Sequence, residues 1–270
     1  MSKISFIIVA FNSASDVNKL LLSIVNKVQN LAYEIVVVDN SDCADTKKIV
    51  ERLGFKYIAV PSNPGFASAC NIGVQNATSE WYFFINPDSV IDEAAELNFI
   101  DEAMTETPLI LIPLVRENQW GDKYESRKMS FPLLTTYLKK IFGMNEEGWY
   151  RGSALLVNKS CYKMVGGWSE DYFMYSEDLQ FFYTANKKNI ETRRLKLRVT
   201  HVGGSSSSKV WDDAARLFRV NNSLLTFYIK NKLIFNGLIF YSLFSIIIGL
   251  RNLDYRIPLV WYLSLINYKK

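Results

Sequence analysis

The chain is 270 residues long, 49% apolar and 21% charged, a balance that excludes disorder and allows one large domain or a domain with an appendage. Its three cysteines, Cys43, Cys70 and Cys161, stand far apart with no CxxC pair, which argues against a disulfide framework or a cysteine-based zinc site and suits a reducing compartment. The net charge of +4 conceals an asymmetry: from Lys187 onward 15 Lys/Arg face 4 Asp/Glu, so the last 84 residues carry +11 and the first 186 carry −7.

Met1-Ser2-Lys3 runs at once into the apolar stretch Ile4–Ala10. That stretch is too short for a signal peptide's apolar region plus cleavage site, so it reads as a buried first strand in a cytoplasmic protein. Residues 34–39, 55–60 and 81–86 share its strand length and its β-branched or aromatic content. Between them, 16–28 places Val17, Leu20, Leu21, Ile24 and Val28 on one helical face, and 45–53 and 66–76 read as the next two helices. Strands alternating with helices at this spacing predict βαβ units, hence an α/β fold on a mostly parallel sheet flanked by helices. Ligands of such sheets bind at the carboxyl ends of the strands. Those ends are Ala10-Phe11-Asn12-Ser13, Asp39-Asn40-Ser41 and Asn86-Pro87-Asp88, each polar where the preceding run is apolar.

The stretch 108–148 reads as irregular. After it, 151–157 reads as a strand, Gly166-Gly167-Trp168 as a turn, and Ser176 as the N-cap of a helix with Glu177 and Asp178 in its first turn. A strand over 193–200 delivers His201, followed by Gly203-Gly204 and a serine-rich loop at 205–208. Residues 233–250 are 18 in a row without a charge, at the lower limit of the roughly 17–25 that span a membrane. Asn236, Ser242, Ser245 and two glycines dilute them, so an in-plane or re-entrant helix is as good a reading as a span. A second run, 257–266, is too short to cross alone. Lys230, Lys232, Arg251, Arg256, Lys269 and Lys270 bracket both, and Tyr241, Tyr255, Trp261 and Tyr262 supply interfacial aromatics. Basic residues among long aliphatic runs suit an anionic membrane leaflet and not nucleic acid. The expected organisation is a domain over 1–231 and a membrane-associating helical segment over 232–270.

Carboxylates at strand ends are the candidates for chemistry. Asp39 suits hydrogen bonds to a nucleotide, and equally a turn. Asp88 would give a divalent cation the hard oxygen it prefers beside a phosphate site. Glu177-Asp178 offers a base for a hydroxyl proton, or simply complements a helix dipole. His201, the sole histidine, sits between a strand and a turn, where a neutral imidazole beside Asp88 would complete a mixed N/O site. Residues 63–71 are Gly-punctuated and lead into a helix that could hold a diphosphate on its N–H groups. They lack both GxGxxG and GxxxxGK[ST]. Arg216, Arg219 and Lys230 lie on a helix where they would meet phosphate, lipid or solvent.

In order, these blocks resemble the family 2 glycosyltransferases of GT-A fold, especially the rhamnosyltransferase-like branch that builds bacterial surface polysaccharides. The blocks are Ile7-Ile8-Val9-Ala10-Phe11-Asn12-Ser13, Ile35-Val36-Val37-Val38-Asp39-Asn40-Ser41, Asn63-Pro64-Gly65-Phe66-Ala67 with Asn71-Ile72-Gly73, Phe84-Ile85-Asn86-Pro87-Asp88, Gly166-Gly167-Trp168 through Glu177-Asp178, and Thr200-His201-Val202-Gly203-Gly204-Ser205, with the helix from Arg219 to Lys230 closing the match. The resemblance implies an inverting transfer with Asp178 as base. It implies a nucleotide-sugar donor held by Ala10, Asn12, Asp39, Gly65, Asn71, Asn86 and Asp88. It places Mg2+ or Mn2+ on Asp88 and His201, and a polyprenyl-diphosphate-linked or glycan acceptor against Gly152, Trp168, Glu177 and Arg219. dTDP-rhamnose is the favoured donor, with a UDP-hexose or UDP-galactofuranose behind it, at the cytoplasmic face of the inner membrane. Two departures from the family pattern are Gln180, where an acid is usual, and Trp168, where phenylalanine is commoner. A sugar nucleotidyltransferase would want a basic, Gly-rich loop after the first strand, and residues 10–15 hold neither a basic residue nor a glycine. An inactive membrane-associated scaffold would have no need of Asp88, Asp178 and His201.

Overall fold

The computed structural model describes residues 4–94, 96–97, 100, 107–117, 121–144, 147–203, 211–251, 256–266 and 268. The first half alternates as expected: β1 (Ile4–Ala10), α1 (Ala14–Lys27), β2 (Tyr33–Asp39), α2 (Ala44–Arg52), β3 (Lys56–Ala59), α3 (Phe66–Gln75) and β4 (Trp81–Ile85). These four strands are parallel, in the order β3-β2-β1-β4, with Ala10 level with Asp39. Both faces are covered. Ile7, Val9, Val36 and Val38 pack with Ala67 and Ala69 of α3, while Phe6, Ile8, Ile35 and Val37 pack with Val17, Leu20, Leu21 and Ile24 of α1. Burial on two sides is why β1, β2 and β4 read as continuous apolar runs instead of alternating ones.

The second half contributes β5 (Ser89–Glu93), β6 (Leu109–Glu117), β7 (Met129–Ser130), α4 (Leu134–Ile141), β8 (Gly148–Trp149), β9 (Ala154–Asn158), α5 (Lys159–Val165), α6 (Glu177–Lys187) and β10 (Glu191–His201). Among the described residues, the helices α7 (Asp213–Lys230), α8 (Ile234–Arg251) and α9 (Arg256–Ile266) follow. The main sheet has eight strands in the order β3-β2-β1-β4-β9-β6-β10-β5, and only β9 and β5 run against the rest. It is the mostly parallel, helix-flanked sheet that the sequence predicts.

The irregular reading of 108–148 is corrected: it holds β6, an interior strand of the sheet, and α4. Pro113 hid the strand, because a proline cannot donate to a ladder and argues for an edge. Here it is tolerated because the β6–β10 register slips between Arg194 and Arg198, while β9 pairs only with Ile110 and Leu111. Ser176 precedes α6 but makes no side-chain cap, and its φ of 63° is left-handed. The serine run 205–208, Gly204, Tyr255, Lys269 and Lys270 lie outside the described residues.

The C-terminal helices fold back onto the domain. Gly237 of α8 lies so close to the Tyr228 ring of α7 that a Cβ there would collide with it. Trp261 of α9 packs at a tilt against Tyr241 with centroids 4.5 Å apart and donates to Ser242 Oγ at 3.0 Å. The residues α8 buries are Gly237, Ser245 and Gly249, while Leu243, Ile246, Ile247 and Leu250 are exposed.

Candidate active site

At the ends of β1 and β2 the loops are tied to one another. Asn40 N donates to Ala10 O at 2.9 Å, Asn12 N to Ser41 Oγ at 2.9 Å, and Asn40 Nδ2 to Gly65 O at 3.3 Å. Asp39 is fully buried and accepts from Ser41 N (2.9 Å), Ser41 Oγ (2.6 Å), Cys43 N (3.0 Å) and Tyr57 Oη (3.2 Å). It therefore shapes the turn into α2, and a nucleotide donor group would compete with the Tyr57 hydroxyl, the longest of the four bonds. Gly65 adopts φ 96°, and the carbonyl of Phe173 occupies the place a Cβ would take while accepting Phe66 N at 3.0 Å. Only glycine fits there, and the contact joins the start of α3 to the loop that leads to α6.

The second group stands at the ends of β4, β6 and β10. His201 Nε2 lies 3.3 Å from Asp88 Oδ1 and 3.2 Å from Asn86 Nδ2, and all but about a tenth of His201 and Asp88 is buried. Parallel pairing sets His201 beside Glu117, whose Oε1 is 3.7 Å from Nδ1. That is too far for a hydrogen bond, and Nδ1 has no hydrogen-bond partner among the described residues. Glu117 therefore acts on the ring mainly through its charge. Burial alone depresses the imidazole pKa, but Asp88 and Glu117 outweigh it and carry it to about 9. Glu117 in turn accepts Arg151 Nη1 at 2.8 Å.

The third group surrounds Asp178. Its Oδ2 accepts Gly152 N at 3.0 Å and its Oδ1 accepts Leu179 N at 2.8 Å. Two left-handed residues, Tyr175 (φ 72°) and Ser176 (φ 63°), turn the chain into α6, backbone strain of a kind that gathers at functional sites. Burial, and then the charge of Asp178, push Glu177 up to about 8. Burial also raises Asp178, against the pull of the Gly152 and Leu179 N–H groups and of Arg151. Glu177 Oε2 has no hydrogen-bond partner among the described residues. The two N–H donors and Arg151 thus favour the anionic form of Asp178, whereas burial and the Asp178 charge favour the protonated form of Glu177.

Trp168 lies beneath this group. A Cβ on Gly152 would meet Asp178 Cβ at 3.4 Å and the indole of Trp168 at 3.6 Å. Asn71 holds Trp168 in place: its Nδ2 donates to Trp168 O at 2.9 Å and its Oδ1 accepts Trp168 N at 3.0 Å. In this arrangement its amide serves the loop and not the ends of β1 and β2. Arg219 lies over the rings of Trp211 and Phe173, 4.3 and 5.8 Å from their centroids. Glu117 and Arg151 escaped the sequence reading. An apolar run closing on Arg116-Glu117 has the same greasy-then-polar signature as the other strand ends and would have exposed Glu117.

The set fits a hard divalent cation. One carboxylate oxygen and one imidazole nitrogen, the latter once a cation has displaced its proton, converge from adjacent strand ends. Among the described residues no three His, Cys, Asp or Glu side chains are grouped to hold a cation by themselves. The remaining positions would fall to phosphate oxygens and water, as is common for Mg2+.

Residues 5–164 match the family described as Glycosyl transferase family 2. The chain is 24% identical over 245 residues to the low-salt glycan biosynthesis hexosyltransferase Agl10 of Haloferax volcanii, covering 84% of this chain and 78% of that one. It is 25% identical over 196 residues to the rhamnosyltransferase WbbL of Escherichia coli K12, covering 64% and 74%. Among solved structures, the mannosyltransferase PcManGT from Pyrobaculum calidifontis, in complex with GDP-Man and Mn2+, superposes with a TM-score of 0.59 at 13% identity, covering 97% of this chain and 73% of that one. The shared fold is GT-A.

Proposed function

The chain belongs to glycosyl transferase family 2, and on that premise we propose that it is an inverting, metal-dependent enzyme that moves one sugar from a nucleotide-diphosphate donor onto a hydroxyl of a lipid-linked glycan. One observation carries the chemistry: of two adjacent buried carboxylates, Asp178 is the one that accepts Gly152 N and Leu179 N and lies near Arg151, groups that favour its anionic form. Asp178 takes the acceptor hydroxyl's proton as its oxygen bonds to the anomeric carbon, and the bond from that carbon to the diphosphate breaks on the opposite face. The nucleoside diphosphate leaves with the electron pair, and no covalent enzyme intermediate is required. Mg2+ or Mn2+ on Asp88 and His201 would neutralise the charge of the departing diphosphate. Gly152 and Trp168 keep the base in position, and Glu117 sets a negative charge beside the His201 ring.

dTDP-rhamnose is the first candidate donor, supported by the likeness to a rhamnosyltransferase, with a UDP-hexose or UDP-galactofuranose next. The acceptor end and the cytoplasmic membrane location rest on residues 232–270, where α8 turns its aliphatic residues outward. The test is a thermal-shift panel of nucleotide sugars with Mn2+, followed by transfer of labelled sugar to a polyprenyl-diphosphate glycan. One donor should stabilise the fold and be consumed, with transfer abolished by chelator. Stabilisation by no donor, or transfer that survives chelation, would count against the proposal.

A further inference from the structure

We infer that α4 and the residues just after it form a second docking element for an anionic bilayer, set beside α8. The inference rests on the membrane location proposed above and extends it to a segment with no such signal in the sequence. Exposed apolar side chains crowd one end of α4: Ile141 is 59% exposed, Phe142 73% and Met144 59%, with Tyr137 and Leu138 beside them. α4 is fastened to α8. Thr135 N donates to Asn236 Oδ1 at 3.3 Å, Asn236 Nδ2 donates to Thr135 Oγ1 at 3.1 Å, and the Tyr137 and Phe240 rings lie 5.8 Å apart. The exposed end of α4 thus continues the surface on which α8 displays Leu243, Ile246, Ile247 and Leu250.

The pattern on α8 is the reverse of a soluble helix. Glycines and a serine face the protein and long aliphatics face outward, as when the surroundings are lipid. Charge selects the occupant. Lys139 and Lys140 end α4, Arg251 ends α8, and α4, α8 and α9 contain no Asp or Glu. A second copy of the chain would set these cations mainly against like charges, since the three helices carry no carboxylate and the acidic residues next in the chain, Glu146, Glu147 and Asp254, come after the helix ends. A bilayer offers anionic head groups to the cations and hydrocarbon to the aliphatics at once.

The experiment is flotation of the full chain with vesicles of phosphatidylcholine alone or mixed with phosphatidylglycerol. The proteins compared are wild type, Ile141→Glu/Phe142→Glu, the milder Ile141→Ala/Phe142→Ala, Lys139→Glu/Lys140→Glu, and Ile246→Glu/Ile247→Glu on α8. Wild type should float with the anionic vesicles. Both glutamate pairs on α4 should lower partitioning at least about tenfold, and the alanine pair severalfold, with an unchanged cooperative melt. If the α8 pair abolishes flotation while every α4 variant floats like wild type, the α4 inference falls and the membrane proposal stands. If wild type stays in solution with anionic vesicles, both fall. A lipid-free dimer that the α4 substitutions dissolve would make this face a self-association surface and overturn the inference.

Discussion

Glu177 and Asp178 are neighbours in the chain and both are buried, yet their surroundings divide the work between them. Asp178 accepts two backbone N–H bonds and feels Arg151, whereas Glu177 has an oxygen with no hydrogen-bond partner. Asp178→Asn should therefore keep donor-induced stabilisation and lose about 10²–10⁴-fold in turnover, read by single-turnover transfer. For Glu177 the sign follows from the raised pKa. The folded state keeps a proton that the unfolded chain releases near the ordinary value of 4.5, so stability falls as pH rises from there to about 8 and then levels off. Glu177→Gln mimics the protonated form. Its melting temperature relative to wild type should climb across that window, and a pH-independent difference would refute the assignment. Glu117 concerns His201, whose ring it faces across 3.7 Å while bonded to Arg151. A carboxylate behind a ligating imidazole typically contributes about 10–100-fold to metal affinity. Glu117→Gln should weaken Mn2+ binding by that order in electron paramagnetic resonance titrations, with partial recovery in Glu117→Asp.

At the scale of elements, the decisive piece is the loop between α5 and α6. Its ties include the Asn71 clamp on Trp168, the Phe173 carbonyl on Phe66 N, and Ser223 Oγ donating to Met174 O at 2.8 Å. α3 and α7 thereby hold a segment with little regular structure of its own, and the two left-handed residues that follow are kept in place by what surrounds them. Asn71→Ala would leave the N–H and carbonyl of Trp168 without these partners, at a cost of about 2–4 kcal/mol. Denaturant unfolding should show that loss. Turnover should fall further than donor affinity, because Trp168 backs Gly152 and Asp178. Equal losses in both would make Asn71 a donor residue instead of a clamp.

For the whole molecule, the proposed membrane docking gives the charge asymmetry a consequence: with the basic, aliphatic C-terminal part against a bilayer, the acidic remainder would face away. Such docking combines a salt-sensitive and a salt-insensitive contribution. Raising salt from 0.1 to 1 M shortens the screening length from about 10 to 3 Å. Vesicle binding should therefore drop severalfold and persist at a plateau supplied by apolar insertion. Binding that vanishes with salt would mean that the aliphatic faces of α4 and α8 stay out of the lipid.

The sequence alone determined the parallel core, since runs such as Ile4–Ala10 and 34–39 are apolar on both faces and close on polar residues at the end where ligands bind. It also determined the first-turn acids of α6 and the exceptional character of α8, because both depend on residues close together in the chain. Tertiary structure alone decided the rest. Asp88 and His201 are 113 positions apart, and they meet because β10 pairs with β5 on one side and β6 on the other. β6 and α4 stayed hidden because a proline obscured the strand and α4 is a short helix whose partner, Asn236, lies 101 residues away. The unequal surroundings of two adjacent carboxylates were decided by Gly152 N–H and Arg151, groups that only the folded chain brings to Asp178.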